Sequence, residues 1–209
     1  MSSIEKRQHI INVAENLFSQ KGFGGTSVRD IAEAAGVNIS MISYYFGSKE
    51  GLMQALFQER MGSITPRLEQ LVNVEKYTPF KKVEILITDY IDRTLQKSMF
   101  HKILISEQLL ENNPVITELL NDFKMKNMQL LELIIAEGQK KGDFKKKVDV
   151  NLMMNTLIGT VTQTLIHLDF YKKYNCMEEV SKEELKQLLK TKLNNYIKDL
   201  FKSILSYEA

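Results

Sequence analysis

Tryptophan is absent, cysteine occurs once and proline three times in 209 residues, and no apolar run approaches the ~20 residues that a membrane helix needs. Each scarcity excludes something. A lone thiol, Cys176, forms no internal disulfide and suits a reducing compartment, so a cytoplasmic protein away from membranes is expected. The start of the chain is polar and passes directly into an amphipathic pattern, without the look of a signal peptide. Few prolines and ten glycines leave long stretches free for helix, and 44% hydrophobic residues supply a core, which excludes a disordered chain. A net charge of only +2 excludes a broad basic field. Three histidines, His9, His101 and His167, stand far apart, and no nucleophile–base motif or phosphate loop accompanies them. No enzyme activity, cofactor or metal is therefore expected.

What is present is helical periodicity, with no alternating strand pattern. The most informative stretch is Thr26 to Lys49, TSVRDIAEAAGVNISMISYYFGSK. Ser27 with Asp30 three residues later forms a capping box, and Ile31 and Ala35 give the helix an apolar face. Gly36 supplies the positive φ of a sharp turn, Val37 plugs the core beneath it, and Asn38 or Ser40 caps the next helix. Ser48 caps a further helix that carries Leu52 and Leu56. This spacing predicts a helix-turn-helix, whose second helix suits a DNA major groove.

The closing YYFGSKEGLM is less generic. With the preceding helices, over about residues 5 to 53, it resembles the N-terminal region of the TetR family of bacterial transcriptional regulators. Beyond it the resemblance rests on helix count, length and the GQKKGDF segment from Gly138 to Phe144. The family implies an all-α fold of about nine helices, divided into a DNA-binding domain at 1–47 and a ligand-binding and dimerisation domain at 48–209. It also implies a homodimeric repressor that leaves a palindromic double-stranded operator when a small effector of unidentified structure binds. A DNA-bound scaffold or activator regulated by a protein partner is the alternative.

In the family pattern, Asn38, Ile39, Ser40 and Met41 face base edges, and Arg29 reaches a guanine or a phosphate. Ile39 and Met41 suit thymine methyl groups. Thr26, Ser27, Ser43, Tyr44, Tyr45 and Lys49 match backbone anchors, which fix register without reading sequence. Family members often carry tyrosine where this chain has Ser43, and a polar or basic residue where it has Ile39. Within residues 1 to 50, Lys6, Arg7, Lys21, Arg29 and Lys49 oppose Glu5, Glu15, Asp30, Glu33 and Glu50, five against five. DNA binding must then come from placement rather than bulk charge.

Farther on, helices are expected at 79–97, 99–111, 114–141, 149–173 and 181–206, with Thr78 and Asn113 as caps before Pro79 and Pro114. The last carries a stripe from Leu185 to Leu205 at i, i+3, i+4 spacing. With residues 150–170, the segment 182–205 is expected to form the homodimer interface. For the effector, the expected lining is Met99, Phe100, Ile103, Phe123, Met128 and Met153, with Gln163 and His167 as polar groups. Thr164, His101 and Glu107 are further polar options. Methionine and phenylalanine suit an adaptable pocket for a mostly apolar guest.

Overall fold

Helix caps divide this chain as the sequence suggests. The structure is a computed structural model describing residues 2–110 and 113–206, and among these it contains eleven helices and no strand. They are α1 (Ser3–Lys21), α2 (Val28–Ala34), α3 (Ile39–Phe46), α4 (Lys49–Met61), α5 (Ile64–Val72), α6 (Pro79–Gln96), α7 (Ser98–Leu110), α8 (Pro114–Lys141), α9 (Val150–Ile166), α10 (Leu168–Tyr174) and α11 (Lys182–Leu205). Ser2, Ser27 and Ser181 form complete capping boxes with Glu5, Asp30 and Glu184. Asn38, Ser48 and Asp149 cap α3, α4 and α9 through their side chains. Thr78 and Asn113 accept the backbone N–H of Lys81 and Ile116. Each such cap stabilises its helix by about 1 kcal/mol.

The helices outnumber the expected nine or so at two places. One is α5, which holds Pro66 in its first turn, where the missing N–H has no partner to lose. The expected 149–173 helix is two helices, because His167 takes φ −101° and ψ 32° between α9 and α10. The expected end of a helix at Glu111 lies outside the described residues.

The chain forms two compact units, 1–67 with 97–125, and 68–96 with 126–209. This division differs from the role-based boundary at 47/48, because α4 and α7 pack with α1. In the first unit Ile10, Ile11, Ala14 and Phe18 of α1 meet Ile31, Ile42, Leu52, Leu56 and Phe57, with Phe100, Ile103, Ile116 and Leu120 in the same cluster. A polar clamp ties α4 to α1. Arg60 donates to Glu15 Oε2 from Nε at 3.0 Å and Nη2 at 2.7 Å, to Asn12 Oδ1 at 2.7 Å, and to Glu59.

In the second unit α11 lies along α6 and buries Leu185, Leu189, Leu193, Ile197, Phe201 and Leu205, one per turn. Lys82 is buried, and its ammonium donates to the Val72 carbonyl at 2.7 Å and to Glu137 at 2.8 Å. The GQKKGDF segment is a packing lock. Phe144 is fully buried against Gly138, where a Cβ would lie 2.1 Å from the ring.

Candidate nucleic-acid interface

The helix-turn-helix is built from a short α2, a tight turn and a short α3. Gly36 has φ 62°, which lets Gly36 N–H reach Glu33 and Val37 N–H reach Ala32. Ile31 and Ile42 anchor the two helices in the core, and Val37 packs beneath the turn. With Ile42 the sole fully buried residue of α3, the rest of the helix turns outward or lies partly covered.

Asn38, Ser40 and Ser43 are exposed, Ile39 is 45% exposed, and Met41 is half-buried. Asn38 Oδ1 accepts both the N–H and the hydroxyl of Ser40, at 2.9 and 2.8 Å, so these two polar side chains are held as one unit. Tyr44 is 80% exposed, its ring 5.0 Å from Tyr45, whose hydroxyl pairs with Ser3 at 3.1 Å. Arg29 is exposed on α2. An outward face carrying two apolar side chains, several hydroxyls and one guanidinium is suited to a groove edge and its flanking phosphates.

Two expected anchors serve the protein instead. Thr26 is 1% exposed and donates its hydroxyl to the Gly22 carbonyl at 2.8 Å, so its side chain holds the α1–α2 link. Lys49 donates to the Phe23 and Thr26 carbonyls, both at 2.9 Å, with its ammonium 4.1 Å from the Phe23 ring centre. Neither side chain is the free phosphate anchor read from the sequence. Ser27 is exposed, but its hydroxyl is engaged with Asp30 in the capping box.

The expected effector residues divide between the two units. Met99, Phe100, Ile103 and Phe123 belong to the first, and Met128, Met153, Gln163 and His167 to the second. Phe100 and Ile103 are buried, Phe100 standing edge-on to Phe57 at 5.1 Å, while Met99 is exposed. Met153 is buried and Met128 partly so. Gln163 and His167 are exposed, a correction to their expected inward role, because Val161 and Thr162 occupy the inner face of α9. The second unit holds an apolar void of about 10 Å³, lined by Val83, Ile87, Met153, Met154, Leu157 and Phe201 among others. That is space for about one water-sized sphere. A polar cluster missed in the sequence lies two turns along α6: Tyr90 bonds to Thr162 and Thr94, while its burial pushes the phenol pKa upward. Its signal was the α6 stripe Val83, Ile87, Tyr90, Thr94, whose last two members are polar.

Glu107 is 7% exposed on α7 and makes no hydrogen bond or ion pair among the described residues, and burial pushes its pKa above the usual 4.5. The folded state therefore holds this proton more tightly than the unfolded chain. Its contribution to stability is complete below pH 4.5 and is lost as pH rises through the folded value. Glu107→Met is expected to gain on the order of 1–3 kcal/mol at neutral pH. Urea melts from pH 4 to 8 check this, and the gain over the parent chain should shrink toward acid. Burial also holds His101 below its ordinary pKa, favouring the neutral ring. Among the described residues no three His, Cys, Asp or Glu side chains group as metal ligands, and no helix is long and apolar enough to cross a membrane.

Comparison with known proteins fits this geometry. Residues 10–56 match the family described as "Bacterial regulatory proteins, tetR family", and residues 57–192 match "YsiA-like protein, C-terminal region". The chain is 33% identical over 147 residues to the "Probable HTH-type transcriptional regulator YttP" of Bacillus subtilis, covering 68% of each chain. It is 28% identical over 160 residues to the "Fatty acid metabolism regulator protein" of the same organism, covering 77% of this chain and 81% of that one. The crystal structure of the Bacillus subtilis transcriptional regulator FadR with stearoyl-CoA superposes with a TM-score of 0.67 at 24% identity. That match covers 91% of this chain and 96% of the other, and shows the shared fold.

Proposed function

The chain belongs to the TetR family of bacterial transcriptional regulators, and from that premise we propose that it is a homodimeric repressor released from a palindromic operator by a mostly apolar small molecule. The observation that carries the DNA reading is the outward face of α3, with Ile39, Ser40 and Tyr44 projecting from a scaffold pinned by Ile31 and Ile42. In this reading Arg29, Asn38, Ile39, Ser40 and Met41 read bases, and Ser27, Ser43, Tyr44 and Tyr45 position the backbone. The backbone N–H groups at the starts of α2 and α4 add to the phosphate contacts.

The effector class follows from two supports. The packed core of the second unit contains methionine, leucine and phenylalanine, which would have to repack to admit an aliphatic guest. A relative aligned over most of both chains is named as a regulator of fatty acid metabolism. The guest we propose is a long-chain fatty acid derivative. Its uptake favours a dimer arrangement in which the two recognition helices no longer match half-sites about 34–36 Å apart.

Selection of bound sequences from a random duplex pool tests the DNA reading. A palindrome is expected. Arg29→Ala should relax one position of each half-site, with discrimination there falling about tenfold or more. Tyr44→Phe should weaken all sites alike. Absence of any enriched sequence at both low and moderate salt would sink the operator proposal.

A further inference from the structure

The first turn of α3 fixes which hydrogen-bonding atoms it can offer outward. Asn38, the N-cap, has extended backbone at φ −69° and ψ 141°, and its carbonyl accepts the Met41 N–H at 2.9 Å. Its side-chain oxygen accepts the Ser40 backbone N–H at 2.9 Å and the Ser40 hydroxyl at 2.8 Å. A backbone N–H can only donate, so the amide has one orientation, with Oδ1 toward the helix and Nδ2 left over. Both lone pairs of Oδ1 are in use, while Nδ2 has no partner among the described residues. The Ser40 proton is committed as well, which leaves Ser40 Oγ with lone pairs to offer. Both residues are exposed.

An asparagine ordinarily reads adenine by itself, its oxygen accepting from N6 and its nitrogen donating to N7. Asn38 cannot, because its oxygen belongs to the cap. The pair still can. Asn38 Nδ2 supplies the donor, and Ser40 Oγ, bonded to the same Oδ1, supplies the acceptor. A donor beside an acceptor fits an A·T pair at adenine N7 and N6, and a G·C pair at guanine O6 and cytosine N4. Ile39 decides between them. It stands between the two residues in the chain and is 45% exposed. An apolar side chain there gains contact with a thymine methyl, and a G·C pair carries no methyl.

We propose that Asn38 and Ser40 act as one composite reader of adenine, Asn38 Nδ2 donating to N7 and Ser40 Oγ accepting from the N6 amino group, with Ile39 against a thymine methyl. The inference rests on the operator reading above and adds which base the start of α3 selects. The two roles are coupled, since Asn38 Oδ1 holds the Ser40 proton and so presents that hydroxyl to the base as an acceptor.

The test uses the full chain and the operator duplex that it selects. Each adenine of the half-site is replaced in turn by 7-deazaadenine, which lacks N7, or by purine, which lacks the amino group. At one adenine of each half-site both analogues are expected to weaken binding by the parent about tenfold or more. Uracil in place of a thymine at or next to that pair is expected to cost less. Asn38→Asp keeps a capping oxygen and drops the donor, so it should show no penalty for 7-deazaadenine at that position. Ser40→Ala should show none for purine. Because each variant is compared with itself on paired duplexes, a general loss of affinity does not blur the readout. Should either variant fold poorly, the analogue pattern of the parent decides alone. A parent with no adenine sensitive to both analogues overturns the inference, as do variants that keep both penalties. In either case the operator reading stands. A parent chain that enriches no sequence overturns both.

Discussion

Arg60→Met is expected to lower stability by about 3–5 kcal/mol, the usual result of breaking a buried ion pair from one side. The Arg60 and Glu15 side chains are 16% and 8% exposed and lie 2.7 Å apart, so little water reaches Glu15 to replace the missing partner. The variant leaves the Glu15 carboxylate buried without its cation and removes the Asn12 bond as well. In a chain of this length the loss corresponds to a fall in melting temperature on the order of 10 °C. The companion variant Glu15→Leu with Arg60→Met distinguishes a charge effect from a packing effect. Replacing both partners with apolar side chains of similar volume is expected to recover most of the loss, because neither charge then remains to be desolvated. Urea denaturation of the parent, the single and the double variant checks this. A double variant no more stable than the single one would show that the clamp acts through shape.

Arg60 also marks a limit of what is legible in the sequence. Capping signals are local, and the starts of α1, α2, α3, α4, α6, α8, α9 and α11 can each be read from one serine, threonine, asparagine or aspartate. The face of α3 was readable for the same reason: Ile42 sits where a single buried residue must anchor so short a helix. Glu15 and Arg60 are 45 positions apart, and nothing local to either shows that they meet. Thr26 and Lys49 went astray in the same way, since their hydroxyl and ammonium fit phosphate contact until the fold brings carbonyls to them. The effector residues divided between units because helical spacing shows that a residue is apolar and inward, not which core it enters. Glu107 shows the reverse case. A glutamate at a core position is locally inconsistent, and such inconsistencies are where function is expected to sit.

The largest functional effect is expected from the face that α9 and α11 leave uncovered. Leu152, Ile158 and Ile166 of α9 are 64%, 39% and 58% exposed, and Tyr196 of α11 is 60% exposed. Large apolar side chains spread along two packed helices form a surface that a lone chain does not need. Gly159 lies among them, and a Cβ there would meet no atom within 4 Å of its own chain. A mid-helix glycine costs about 1 kcal/mol relative to alanine, and its use here fits the proposed dimer, in which a helix from a second copy approaches closely. Ile158→Glu combined with Ile166→Glu places two carboxylates on that face and is expected to give a folded monomer. Each half-site contact then survives, but the second is no longer made at the effective concentration that tethering provides. Operator affinity is expected to fall by about 10²–10⁴-fold at fixed salt, with helix content unchanged. Sedimentation and operator titration on the same sample check both parts. A variant that sediments as a dimer shows that the interface lies elsewhere. A monomer that holds the operator as tightly as the parent shows that two-fold pairing is not what gives this protein its affinity for DNA.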